Sequence, residues 1–229
     1  MEVGRTQSQS PILCFRVGTK GKPKVLITAG IHGNEHLCVS VMMKVFEEVL
    51  RQRGTAWAEA LRERDIYFVP VFCIDSYRQR SRHDMGVDPN RDWSGRNLTE
   101  KNSIPAVAAM KKFFLEHRFK AAMSCHNHAR MYFFPWGYVN KPTEIHQDYV
   151  RILRKMGAES GYGFEQLLRQ SAPPYYGYEA DWYHQHGAFS IVTEIGRNFT
   201  VSAQEMRQEV EPNLRALLVF VMEASVVRK

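Results

Sequence analysis

The chain has 229 residues, of which 44% are hydrophobic and 12% aromatic. This is enough apolar material to bury a large core, which excludes a disordered or fibrous chain and predicts one globular domain over 1–229. A formal charge of +7 invites a nucleic-acid partner, but the basic residues are interleaved with acids in "LRERD" and "RKMGAES" and no aromatic-rich basic motif occurs. The expectation is no nucleic acid, and a basic surface suited to acidic small substrates.

No run of eighteen apolar residues exists, and the opening "MEVGRTQSQSPIL" lacks the charged-then-apolar layout of a signal peptide. A soluble, cytoplasmic protein without a membrane partner is therefore expected. In chain order, strands are predicted over 11–18 ("PILCFRVG"), 24–30 ("KVLITAG"), 65–75 ("DIYFVPVFCID"), 119–128 ("FKAAMSCHNH") and 188–196 ("AFSIVTEIG"). The second, third and fifth are continuous apolar runs, the pattern of strands covered on both faces. Leu37, Val41, Val45, Val49 and Leu50 recur at helical spacing up to Gly54, and "PAVAAMKKFFLEHR" and "EIHQDYVRILRKMG" repeat that periodicity. The closing segment from Ala203 reads as helix, with Pro212 expected to kink or divide it. Strands alternating with helices imply right-handed crossovers and a mostly parallel sheet with helices on both sides. Cys14, Cys38, Cys73 and Cys125 lie far apart without CxxC spacing and are expected to be buried free thiols.

The chemistry-bearing residues cluster at the ends of predicted strands, in "TAGIHGNE", "SCHNH" and "VTEIG". In open α/β sheets that edge is where ligands bind. Gly33 allows a tight turn after the second strand, so His32 and Glu35 can point at one spot, and His126 can supply a third ligand. Two imidazoles and one carboxylate leave the open fourth position that catalytic zinc requires. A rival reading takes His32 and His36 as ligands with Glu35 as base, an H-x-x-E-H pattern on a continuous helix. Gly33 and Asn34 are poor helix formers, and that reading leaves "SCHNH" and "VTEIG" without a role.

Five stretches taken in order resemble the zinc carboxypeptidase family: "GRTQSQSPILCFRVG", "AGIHGNE", "GVDPNRDW", "SCHNHARMYFFPWGY" and "YEADWYHQHGAFSIVTEIG". The look is nearest to its small microbial members, such as murein peptide amidases. The resemblance implies a three-layer α/β/α sandwich with a mixed, mostly parallel sheet, and one zinc ion held by His32, Glu35 and His126. It implies Glu194 as general base, and Asn90 and Arg91 as the pair that binds a substrate's terminal carboxylate, for which a guanidinium fork and an amide are suited. A family arginine that stabilises the oxyanion has three candidates here, Arg78, Arg80 and Arg82, of which Arg82 aligns best. A family tyrosine that covers substrate is sought among Tyr175, Tyr176 and Tyr178, with Tyr175 or Tyr176 preferred. As a packing alternative, Glu194 could be a buried acid paired with Arg197.

Two departures bear on substrate. Gly33 and Asn34 stand where digestive members carry an arginine, and His128 stands where they carry a tyrosine that meets substrate. Together they favour a small or unusual amide with a free carboxylate over long peptides. The implied activity is a metallocarboxypeptidase acting on a peptide or a peptide-like amide such as a murein peptide. The alternatives are an N-acyl amino acid deacylase of the aspartoacylase and succinylglutamate desuccinylase type, or a zinc-containing binding module without turnover.

Overall fold

The computed structural model describes residues 1–51, 55–93, 104–168, 176–199 and 202–227. A short hairpin of β1 (Glu2–Arg5) and β2 (Pro11–Leu13) precedes β3 (Phe15–Gly18), β4 (Lys24–Ala29), α1 (His36–Arg51), α2 (Ala56–Glu63) and β5 (Asp65–Val69). Then follow α3 (Ile74–Gln79), α4 (Pro105–His117), β6 (Ala121–His126), β7 (Met131–Phe134), α5 (His146–Ser160) and β8 (Gly163–Gln166). The chain closes with α6 (Glu179–Gln185), β9 (Phe189–Glu194) and α7 (Ala203–Glu223).

Seven strands form the central sheet in the order β3-β5-β4-β6-β9-β7-β8. β5, β4, β6 and β9 run parallel, β3 and β7 pair antiparallel at either side, and β8 is parallel to β7. Strand alternation sorts the side chains into two layers. Val25, Ile27 and Ala29 of β4 pack with Leu37 and Val41 of α1, Ile152 of α5 and Leu217 of α7. Leu26 of β4 and Ala122 of β6 point the other way, onto Val107, Met110 and Phe114 of α4 and Trp182 and Tyr183 of α6. The result is the three-layer α/β/α sandwich with a mixed, mostly parallel sheet, and all four cysteines are buried free thiols.

Several predicted boundaries differ. The expected strand 11–18 breaks at Cys14, whose main chain accepts from the N-terminal ammonium and donates to Met1, so its halves join different sheets. The expected strand 65–75 ends at Val69 and turns into α3, and the expected strand 119–128 spans only Ala121–His126. β7 and β8 were not anticipated. The closing helix is not divided: α7 runs through Pro212 from Ala203 to Glu223. Among the described residues, no helix is long and apolar enough to cross a membrane.

Alternation also positions the site. Ser124 and His126 on β6, Val192 and Glu194 on β9, and Phe133 on β7 lie on the α4–α6 side. The register sets Ser124 opposite Val192, Val192 opposite Phe133, and His126 opposite Glu194. The β4–α1 turn brings His32 and Glu35 over this row.

Candidate metal centre

The turn between β4 and α1 is held by two contacts. At Gly33 a side-chain Cβ would lie 2.1 Å from the carbonyl carbon and oxygen of Ser76, so only glycine fits against α3. On the other side, the main-chain N–H of Cys38, in the unpaired first turn of α1, donates to Asn127 Oδ1 at 2.8 Å, tying the helix start to the end of β6. Glu35 and His32 thereby face His126. All three are buried, and one ligand atom from each lies within 4.8 Å of the others.

The ring orientations are specific. His32 Nδ1 sits 2.7 Å from Glu35 Oε1, His126 Nδ1 3.0 Å from Glu35 Oε2, and the two Nδ1 atoms 3.3 Å apart. Each ring turns its other nitrogen to a carboxylate: His32 Nε2 lies 3.0 Å from Asp88 Oδ1, and His126 Nε2 lies 2.8 Å from Glu179 Oε1. An imidazole anchored through Nε2–H keeps the Nδ1 lone pair for a metal. Burial would push the Glu35 carboxyl up, but His126 and His32 beside it hold it at about 2. Asp88 also resists its burial and lies well below the usual carboxylate range, through the His32 hydrogen bond and the charges of His32, Arg82 and Arg91. His126 is raised well above its ordinary value; burial opposes its protonation, and Glu35 and Glu179 outweigh that.

The donor set fits zinc. Two imidazoles and a carboxylate form a three-ligand catalytic set. Beside them stand the carboxyl groups of Asp88 and Glu194 and the guanidiniums of Arg82 and Arg91, with Glu179 behind the His126 ring.

A cavity of about 280 Å³ opens at this cluster, lined by Arg82, Asn90, Arg91, Asn127, Tyr178 and Glu194 as well as the three ligands, with Phe133, Leu167 and Val192 as its apolar wall. Glu194 Oε2 is buried without a hydrogen-bond partner. Burial pushes the Glu194 carboxyl up and Glu35 adds to this, while His126, His32 and Arg82 partly oppose it. Among the described residues no ion pair joins it to Arg197, whose main chain instead donates to Glu205. Arg82 makes two bonds to Asp88 Oδ2 (3.1 and 2.9 Å) and stands 3.6 Å from Glu35. Arg78 instead bonds Ser10, and Arg80 is the exposed left-handed residue ending α3. Asn90 accepts the Glu179 N–H at 3.0 Å, and the Arg91 guanidinium lies 4.3 Å from the centre of the Tyr178 ring.

The other expected residues fall outside this cavity. His36, the rival ligand, opens α1 and stacks on Tyr77 at 4.1 Å. His128 packs edge-on against Phe199, and Tyr176 stacks with Tyr138; Tyr175 lies outside the described residues. Tyr178, ranked behind those two tyrosines, is the one that lines the cavity. Asp88 and Glu179 were missed, although both lie in quoted motifs. The available signals were an acid beside the Asn-Arg pair, and an acid inside the aromatic segment "YEADWY" that the fold buries.

A mixed α/β/α sandwich carrying a buried His, Glu, His cluster at the carboxyl edge of its parallel strands defines a mononuclear metal site of the zinc hydrolase type. Residues 1–216 match the zinc carboxypeptidase family, and the chain belongs to it. Its cofactor is accordingly zinc. Carboxypeptidase A4 of Mus musculus is 23% identical over 177 residues, 62% of this chain and 42% of that protein. Carboxypeptidase A6 of Mus musculus is 26% identical over 173 residues, 59% of this chain and 40% of that protein, so the matches span about two fifths of these relatives. Among solved structures, thrombin activatable fibrinolysis inhibitor superposes with a TM-score of 0.86 at 20% identity, covering 98% of this chain and 71% of that one. Murein-tripeptide amidase MpaA from Escherichia coli O157 gives 0.60 at 16% identity, covering 95% of this chain and 90% of that one.

Proposed function

We propose that the protein is a zinc metallocarboxypeptidase that removes the C-terminal residue of a peptide or peptide-like amide, working as a single domain. One observation carries this reading: the His32, Glu35 and His126 cluster shares its cavity with a half-buried carboxyl group, Glu194, and with Asn90 and Arg91. When bound, zinc supplies a Lewis acid and a water acidified towards neutrality. Glu194 accepts a proton from the attacking water and returns it to the leaving amine; its unpartnered Oε2 and raised pKa suit a group that must cycle between both states. Arg82 stabilises the oxyanion, and Asn90 and Arg91 bind the free carboxylate through oriented hydrogen bonds.

A cavity of about 280 Å³ is small for a ligand pocket and suits one terminal residue rather than a long extended chain. Its wall of Phe133, Leu167 and Val192 favours an apolar terminal side chain. The 90% coverage of murein-tripeptide amidase supports including murein peptides among substrates. The four buried thiols support a reducing, cytoplasmic setting.

The test begins with elemental analysis of wild type and His126→Ala. The expected result is about one zinc per chain, lost in the variant. A panel of C-terminal peptides, their C-terminal amides, murein peptides and N-acyl amino acids then follows, with Glu194→Gln as control. Turnover of free-carboxylate peptides only, abolished by Glu194→Gln, supports the reading. Zinc retained by His126→Ala removes the ligand set, zinc binding without turnover identifies a binding module, and release of acyl groups alone identifies a deacylase.

A further inference from the structure

We propose that Glu179 is a positioning residue for the metal site: its carboxylate fixes the ring and tautomer of His126, and its main chain orients Asn90. The inference rests on His32, Glu35 and His126 being the zinc ligands.

The His126 ring has its Nδ1 in the cluster, 3.0 Å from Glu35 and 3.3 Å from His32 Nδ1, which leaves Nε2 to be satisfied from behind. Glu179 Oε1 does so at 2.8 Å. A ring that lends its Nδ1 lone pair must carry its hydrogen on Nε2, and a buried acceptor there selects that tautomer and prevents the ring from turning over. The Ser124 hydroxyl donates to the same Glu179 oxygen, fixing the acceptor in turn. Ser124 sits two residues before His126 on β6, so strand alternation puts both on one face.

The Glu179 side chain has no other evident polar role. Its side chain is fully buried, Oε2 makes no hydrogen bond, and among the described residues the only ionisable partner is His126. Burying a carboxyl group is costly unless a charge or strong donors offset it. Asp88, which backs His32, shares its charge with Arg82 and also accepts from the Asn90 N–H. The hydrogen-bonding role of the Glu179 side chain is therefore to hold the His126 ring, with Ser124 fixing the same oxygen.

The same residue reaches the carboxylate-binding side. Its N–H donates to Asn90 Oδ1 at 3.0 Å, leaving the Asn90 amide in one orientation. Side-chain substitution spares this main-chain bond, so the two roles separate: the side chain governs metal retention, and the main chain governs carboxylate recognition.

The experiment measures the zinc dissociation constant of the full chain by competition with a chromogenic chelator, for wild type, Glu179→Gln, Glu179→Ala and His126→Ala. Glu179→Gln, which keeps size and an acceptor but loses charge, should weaken zinc by about 10-fold, and Glu179→Ala by up to about 100-fold. For Glu179→Gln, KM for a free-carboxylate peptide should stay within about twofold while kcat falls. In the zinc-loaded wild type, two downfield Nε2–H proton resonances are expected, from His32–Asp88 and His126–Glu179, and the one that Asp88→Asn leaves in place should report the His126–Glu179 bond, whether or not the alanine variant folds. If Glu179→Gln binds zinc within twofold of wild type while His126→Ala loses it, or if no second resonance besides that of His32 is present, the inference is overturned and the metal site stands. Full zinc affinity in His126→Ala overturns the ligand reading beneath it.

Discussion

Gly33 touches the main chain of Ser76 so closely that a methyl group would lie 2.1 Å from the Ser76 carbonyl carbon and oxygen. Both neighbours are backbone, with no flexible side chain to move aside. The turn between His32 and Glu35 is therefore fixed by α3, three elements beyond the helix it leads into. Gly33→Ala should cost on the order of 2–4 kcal/mol by displacing either the turn or α3, and should lower zinc content as His32 and Glu35 separate. Thermal unfolding and elemental analysis check this. An alanine variant with wild-type stability and full zinc would mean that the turn is not clamped there.

Asp88 does for His32 part of what Glu179 does for His126. It accepts from His32 Nε2 at 3.0 Å, but Arg82 already draws on its other oxygen through two hydrogen bonds. Asp88→Asn should weaken zinc by about 10-fold, the lower end of what such partners contribute, and should release Arg82 from its position 3.6 Å from Glu35. Chelator competition measures the first effect. The second should appear as a fall in kcat larger than zinc occupancy accounts for; a fall in step with occupancy would detach Arg82 from the chemistry.

The parts of this site that local pattern encodes were legible in the sequence. β9 is an apolar run that ends in Glu194, and β4 is one followed within three residues by His32, so the strand ends pointed to His32, Glu35 and Glu194 without knowledge of packing. β7 and β8 were not legible, because "MYFF" and "GFEQ" are four-residue strands whose pattern is too short to carry a period. Asp88 and Glu179 were hidden for another reason: their partners lie 56 and 53 residues away in sequence, and nothing local marks a carboxylate as the support of a distant imidazole. His128 and Tyr176 were chosen by alignment, whereas exposure to the cavity depends on how the segments after β6 and before α6 are folded.

Val192 faces Phe133 across the β9–β7 ladder, and both line the cavity. Val192→Asp sets a carboxylate into that wall. Since one methylene in such a pocket is worth about 10- to 200-fold in discrimination, kcat/KM for peptides ending in Leu or Phe should fall by at least about 10-fold. Peptides ending in Lys or Arg should gain relative to them. An unchanged ratio between the two peptide classes would show that the terminal side chain binds elsewhere.

Asp181 is buried in α6 and both its oxygens accept from the Gly137 N–H, at 3.1 and 3.0 Å. Burial pushes its carboxyl up to about 7, against the Gly137 hydrogen bond. Because the folded value lies above the unfolded one, the folded state holds its proton while the unfolded state has released it. The contribution to stability is thus fully present below about pH 4 and is lost as pH rises through about 7. Asp181→Asn keeps an acceptor for Gly137 and cannot ionise. Relative to wild type, the variant should become progressively more stable between pH 4 and 7, by on the order of 2–4 kcal/mol in total, and the difference should level off above pH 7. Urea unfolding of both proteins at pH 5, 6, 7 and 8 reads this directly. Taking the difference between them cancels the protonation of the metal ligands, which both proteins share. A stability difference that stays constant across this range would mean that Asp181 is already ionised in the folded protein at pH 5.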